Sequence, residues 1–175
     1  MRRGISQFDH RITTKLYQQP PQLKHLFDWI TLLGHPFVVS FIAILISLFS
    51  LGLNENAIAQ AFLIGLIALA IGSALKFVLR RPRPDTPYAQ NMRQRTFSFP
   101  SGHAYGGGII YGLITIIGFN ILAEPWAIIV ALGLIPLIIL IGLSRIYLGA
   151  HYFLDVVGGW LLAIPVVYFI AEYLL

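Results

Sequence analysis

Residues 57–84 read AIAQAFLIGLIALAIGSALKFVLRRPRP. No side chain from Ala57 to Leu75 is charged, and with Lys76 to Leu79 the run reaches 23 residues. At about 1.5 Å per residue that crosses a hydrocarbon layer roughly 30 Å thick. Arg80, Arg81 and Arg83 then meet the headgroups, while Pro82 and Pro84 end the helix and force the chain outward. Four more runs of this kind extend roughly from Pro36 to Leu53, Ser101 to Leu122, Pro125 to Tyr147 and Phe153 to Leu174. The links Asn54-Glu55-Asn56 and Ala123-Glu124 are so short that the helices they join must be antiparallel hairpins. The expected fold is all-α: an integral membrane helical bundle of about five transmembrane helices.

Composition agrees. Hydrophobic residues make up 57% of the 175 and charged residues 11%, against about 25% charged in an ordinary soluble domain. That length fits one compact unit, so residues 1–175 read as a single domain. The absence of cysteine excludes a disulfide framework, a thiolate nucleophile, a cysteine zinc site and an iron–sulfur cluster. A net charge of +5 would suggest nucleic acid in a soluble protein. In so apolar a chain it points to anionic lipid or phosphate, and no nucleic-acid partner is expected.

Before Pro36 the pattern changes. Ile5, Phe8, Ile12, Leu16, Leu23, Leu26, Phe27, Ile30 and Leu33 recur at helical spacing, with Asp9, Arg11, Lys15, Lys24 and Asp28 on the other face. Residues 1–35 thus read as an amphipathic interfacial segment broken at Pro20-Pro21, and residues 36–175 as the catalytic bundle. No continuous apolar stretch follows Arg2-Arg3, so a signal peptide is not expected. Alternating the spans puts the N-terminal segment, the polar loop from Arg80 to Phe99 and the Leu148–Tyr152 turn on one side. All twelve basic residues fall on or near that side, while Glu55, Glu124 and Glu172 fall on the other. Lys76, Arg145, His151 and Asp155 lie at span ends there, where an ionisable group must be paired, wet or functional.

Three constellations carry chemistry. In KFVLRRPRP, Lys76 stands one turn from the helix end and the prolines let Arg83 fold back towards it. Taken alone, snorkelling and interfacial anchoring outweigh phosphate binding. In SFPSGHAYGGG, Ser101 is the expected N-cap of the third span. The backbone of Ser101 and Gly102 then offers N–H groups and a positive dipole end to an anion. His103 sits in the first turn, placed to exchange a proton with a bound phosphate. The competing reading makes Ser101 only a cap and His103 only an interfacial side chain, and the nearby glycines suit close helix packing better than phosphate.

In SRIYLGAHYFLDVVGG, His151 and Asp155 are four apart. On one helix face the carboxylate accepts one ring N–H and leaves the other nitrogen's lone pair free, as in a catalytic triad without its serine. Arg145 adds a planar fork for two phosphate oxygens. A structural hydrogen bond with Arg145 as counter-ion is about equally good for this segment alone. The joint occurrence decides, because three cations, backbone donors, a nucleophile and an acid on one side of a bilayer make up a complete phosphoryl-transfer site. No carboxylate cluster exists to hold magnesium, so neither metal nor other cofactor is expected.

The chain resembles the type 2 phosphatidic acid phosphatase family, whose three signature blocks match Lys76…Arg83-Pro84, Pro100-Ser101-Gly102-His103 and Ser144-Arg145…His151…Asp155 without departure. The resemblance implies a metal-independent phosphatase in which His151 forms a phosphohistidine, oriented by Asp155. It further implies that His103 protonates the leaving group and that Lys76, Arg83, Ser101, Gly102 and Arg145 hold the phosphate oxygens. A site at bilayer depth suggests a lipid phosphate or diphosphate substrate whose tail enters between helices. Resemblance to short bacterial members makes undecaprenyl diphosphate the first choice and implies the bacterial cytoplasmic membrane with an extracytoplasmic site. Phosphatidylglycerol phosphate, phosphatidate and lipid A phosphate follow. A lipid phosphotransferase and a non-catalytic lipid-binding bundle are the rivals from other classes. Arg93 and Arg95, outside the blocks, are placed to meet the second phosphate of a diphosphate, with simple anchoring the stronger alternative. The sequence points to no particular oligomeric state.

Overall fold

The computed structural model describes residues 2–92 and 96–175, which leaves Arg93 and Arg95 outside the described residues. Among those described, every regular element is helical. Helix α1 (Arg2–Tyr17) ends ahead of Pro20-Pro21, a 3-10 turn follows (Pro21–Leu23), and α2 (Lys24–Leu33) and α3 (Pro36–Gly52) come next. Then come α4 (Asn56–Leu79), the short α5 (Pro87–Gln90), α6 (Gly102–Ile121), α7 (Glu124–Tyr147) and α8 (Phe153–Leu174).

The caps explain these ends. His35 Nδ1 accepts the Phe37 N–H at 3.2 Å and Pro36 takes the first helical position of α3. Helix α4 stops because Arg80 turns left-handed (φ 48°), its N–H closing on the Lys76 carbonyl at 2.9 Å. Pro82 and Pro84 follow and prevent any continuation.

Helix α6 is the central element, packed on α3, α4, α7 and α8. Of its most apolar stretch 67% is buried, against 28% for each of α4, α7 and α8. Those three turn side chains such as Ile67, Ile71, Val78, Leu132, Leu161 and Ile164 outward, where lipid covers them. The glycines of α6 serve close approach: a Cβ on Gly108 would lie 2.8 Å from that of Ala163 on α8. On α8, a Cβ at Gly159 would lie 2.9 Å from the Ser101 carbonyl oxygen. Backbone contact there brings the second and third sequence blocks together.

Four helices, α4, α6, α7 and α8, are long and apolar enough to span a membrane, and α2 with α3, bent by 41°, meets the same test as a pair. The fold is therefore an integral membrane bundle in which four helices are long and apolar enough to span singly and a bent pair is so together. The bend allows α2 to lie on α7, where a Cβ at Gly34 would meet Ile141 at 2.2 Å.

Helix α1 departs from the expected arrangement in one respect. Asp9, assigned by spacing to its polar face, is fully buried, as is Thr13 one turn on. Both turn towards the start of α8, whose first N–H groups lack intrahelical acceptors. Asp9 accepts from Leu154 N and Thr13 from Phe153 N, at 2.9 and 3.0 Å.

Candidate active site

At the end of the bundle where α4 finishes and α6 and α8 begin, a cavity of about 1120 Å³ opens. Its walls include Lys76, Arg83, Gly102, His103, Arg145 and His151 from the expected set. Thr31, His35 and Lys24 of the N-terminal segment and Tyr88 of the polar loop complete them.

The three cations reach it by different routes. Lys76, in the last turn of α4, is buried and donates to Pro100 O at 2.5 Å, so it already touches the loop that precedes α6. Arg83 is carried back by the two prolines and clamped by Thr96, with Nε donating to the carbonyl at 2.8 Å and a terminal nitrogen to the hydroxyl at 3.1 Å. Its other terminal nitrogen donates to Ala150 O at 2.9 Å and stands 3.2 Å from His151 Nε2. Arg145 is 2% exposed and donates to Thr31 Oγ1 at 2.5 Å, yet its Nε has no hydrogen-bond partner among the described residues. A buried guanidinium with a donor to spare is suited to a second acceptor, as a phosphate would provide.

A guanidinium has no acceptor, so the nitrogen of His151 that faces Arg83 must carry the lone pair, which assigns the ring proton to Nδ1. Nδ1 lies 3.4 Å from Asp155 Oδ2 and has no hydrogen-bond partner as positioned. The carboxylate is thus aligned with the ring but stands back from full contact. Burial first, and then the charges of Arg145, Arg83 and Lys76, hold the His151 imidazole well below its ordinary pKa. It is neutral at physiological pH, with the Nε2 lone pair turned towards Arg83.

Asp155 is itself pinned. Tyr152 N donates to Oδ2 at 2.9 Å and Arg81 to Oδ1 at 2.7 Å. Arg81 also pairs with Asp9 and lies over the Tyr152 ring, 4.3 Å from its centroid. Sequence reasoning treated Arg81 as an interfacial anchor and Asp9 as a solvated charge. The signal that would have revised the first is the dipeptide Arg81-Pro82, since a proline directly after it aims that side chain across the helix end. Nothing local marks Asp9.

His103 occupies the first turn of α6 on the cavity wall, its ring edge-on to that of His35 with centroids 5.7 Å apart. Ser101 caps α6 as the sequence predicts but does not reach the cavity. It is fully buried and absent from the cavity wall, its hydroxyl accepts from Ala104 N as the cap, and its own N–H donates to Asp155 O at 2.9 Å. That donor is spent on tying α6 to α8. Gly102 is the part of the pair that faces the cavity, and a Cβ there would have only Lys76 and Pro36 near, at 3.9 and 4.0 Å. Among the described residues no three His, Asp or Glu side chains stand together as a metal site.

A sequence model of the PAP2 superfamily matches residues 57–174. Phosphatidylglycerophosphatase B of Bacillus subtilis is 33% identical over 100 residues, covering 54% of this chain and 46% of that protein. An undecaprenyl-diphosphatase of Sulfolobus acidocaldarius is 29% identical over 151 residues, 83% of this chain and 68% of that one. Human sphingosine-1-phosphate phosphatase 2 is 32% identical over 109 residues, covering 59% of this chain and 26% of the relative. The chain therefore spans about half the length of the Bacillus relative and about a quarter of the human one. Among solved structures, the transmembrane PAP2-type phosphatidylglycerolphosphate phosphatase of Bacillus subtilis superposes with a TM-score of 0.85 at 24% identity, covering 97% of this chain and 86% of that one. LpxE of Aquifex aeolicus gives 0.68 at 22% identity, covering 93% and 94%. These two likenesses establish the fold.

Proposed function

The chain belongs to the PAP2 superfamily, and from that premise we propose that residues 1–175 act as one domain, a metal-independent lipid phosphatase working through a phosphohistidine at His151. The observation that carries the reading is the His151 ring itself: Nε2 opens on the cavity 3.2 Å from the Arg83 guanidinium, with Asp155 behind the opposite nitrogen.

Substrate phosphate displaces Arg83 from Nε2 and takes its donors, together with those of Arg145, Lys76 and the Gly102 backbone. Nε2 then bonds to the terminal phosphorus while that phosphorus loses its leaving-group oxygen, the ester oxygen of a lipid monophosphate or the bridging oxygen of a lipid diphosphate. His103 gives that oxygen its proton, and Asp155 faces the positive charge that appears on the His151 ring. In the second half, water attacks phosphorus, the N–P bond breaks, His103 takes the water's proton and inorganic phosphate departs.

The substrate of choice is undecaprenyl diphosphate. Support comes from the undecaprenyl-diphosphatase relative, whose alignment extends over most of both chains, and from a cavity with Lys24, His35 and Tyr88 on its walls beyond the phosphate-holding set. Phosphatidylglycerol phosphate is the second choice, by the name of the Bacillus relative. The site is assigned to the extracytoplasmic face of the cytoplasmic membrane, with the N-terminal segment on the same side.

Purified protein is presented with a panel of lipid phosphates and diphosphates, with chelator present throughout. Release of inorganic phosphate, fastest from undecaprenyl diphosphate, and an acid-labile phosphoenzyme that disappears in His151→Ala are expected. A phosphoenzyme that survives His151→Ala overturns the mechanism, and loss of activity in chelator with rescue by magnesium overturns the metal-free site.

A further inference from the structure

Asp155 is not held by its own helix alone. Arg81 donates to its Oδ1 at 2.7 Å, and the other terminal nitrogen of Arg81 is paired with Asp9 of α1. Asp9 has no exposure to solvent, although it lies on a helix whose Arg11 and Lys15 are exposed. Its second oxygen accepts the Leu154 N–H at 2.9 Å, one residue before Asp155. A buried carboxylate persists only when paired, and here one oxygen meets the backbone beside Asp155 while the other meets Arg81, which in turn binds Asp155.

The charges give this array a purpose beyond docking. The groups facing His151 from the elements around it are Lys76 of α4, Arg83 of the loop, His103 of α6, Arg145 of α7 and Asp155 of α8. Three of these are cations and one is an anion. Arg81 alone against Asp155 would cancel the carboxylate that the ring needs when it becomes positively charged. With Asp9 bound to the far side of Arg81, the three groups together keep one net negative charge behind His151. Arg81 still fixes the Asp155 carboxylate in place, leaving Oδ2 to the ring.

We propose that Asp9 is a positioning residue of this site, acting through Arg81 on Asp155 so that helix α1 completes the electrostatic support of His151. The kinetic part of the inference rests on the phosphatase reading; the spectroscopic part does not. Asp9→Asn keeps an oxygen for the Leu154 N–H and removes only the charge. In the variant kcat should fall about tenfold with KM within about twofold. The titration midpoint of His151, read by nitrogen NMR and assigned with His151→Gln, should drop by about one pH unit, the equivalent of that factor.

Thr13→Val separates this from docking, because it breaks the other α1 to α8 hydrogen bond without touching charge. It should lower the melting temperature and leave the His151 midpoint where it was. In an Arg81→Gln background, where Asp9 has lost its link to Asp155, Asp9→Asn should lower the midpoint by clearly less than one pH unit. An unchanged His151 midpoint in Asp9→Asn overturns the proposal, as does an equal drop in Thr13→Val or a full further drop in the Arg81→Gln background. Should the wild-type protein turn over no lipid phosphate, the phosphatase reading fails, and the midpoints still decide the role of Asp9.

Discussion

Asp155→Asn is the substitution that most directly tests the site. It preserves side-chain shape and an oxygen for Tyr152 N–H, and it removes one charge located 3.4 Å from His151 Nδ1. At an effective dielectric of about 20, unit charges at that separation interact by about 5 kcal/mol. On the proposed mechanism the ring becomes positive only as Nε2 bonds to phosphorus, so this energy belongs to the transition state and to the phosphoenzyme. Its loss predicts a fall in kcat of roughly 10³–10⁴-fold with little change in KM.

Two further effects act in the same direction. Arg81 is left beside the ring with one anion instead of two, and the asparagine amide can offer an N–H to Nδ1, favouring the tautomer that protonates Nε2. Rapid quenching of detergent-purified protein after mixing with labelled lipid phosphate measures phosphoenzyme formation directly, and a melting curve checks that the bundle survives. A well-folded Asp155→Asn protein forming phosphoenzyme within tenfold of the wild-type rate would refute the argument and leave Asp155 as a cap for α8.

His103→Ala should slow both formation and breakdown of the phosphoenzyme by about 10²–10⁴-fold, the range for a lost general acid and base; loss of one half-reaction alone would assign the other proton to a different group. Stability should depend on pH through His151. Burial and the charges of Arg145, Arg83 and Lys76 hold its folded pKa well below that of an ordinary imidazole, so below about pH 6.5 the unfolded chain binds the proton that the folded protein refuses, and stability falls as pH drops through that window. The melting temperature of His151→Gln should be less sensitive over the same range, and an equal sensitivity would place the titration elsewhere. Single cysteines at the exposed Gln90 and Asn56 report sidedness in intact cells. Labelling of Gln90 alone by a membrane-impermeant thiol reagent fits an extracytoplasmic site. Labelling of Asn56 alone puts the site in the cytoplasm, where the positive-inside rule would place so basic a face.

The spans were legible to within one residue of the helix ends observed for α3, α4, α6, α7 and α8, because uninterrupted apolar length leaves a chain in lipid few alternatives. That Lys76, Arg83 and Arg145 reach one cavity and that His151 stands beside Asp155 was legible for a different reason. Their chemistry fixes both residue type and spacing, and Pro82, Pro84 and the turn at Gly149 (φ 77°) fix where the side chains go. The role of α1 was not legible. A helical wheel divides residues into apolar and polar faces, and Asp9 and Thr13 fall on the polar one whether they meet water or the unpaired N–H groups of another helix. Their partners, Leu154 and Phe153, lie 145 and 140 residues away, beyond any local pattern.

Ser101 marks the boundary between what a motif states and what a structure assigns. Its place beside His103 suggested a backbone donor for phosphate, yet its N–H is bound to the Asp155 carbonyl and its side chain caps α6. Gly159 permits that contact, since a Cβ there would press on the Ser101 carbonyl at 2.9 Å. The Asp155 side chain supports His151 on α8's side of the site, while its backbone oxygen grips the start of the helix that carries Gly102 and His103. His151 and His103 are thereby both tied to a single residue, through a hydrogen bond of 2.9 Å that adds to the packing of α6 on α8. On the proposed mechanism, Ser101 can therefore belong to the block by placing His103 and need not touch phosphate.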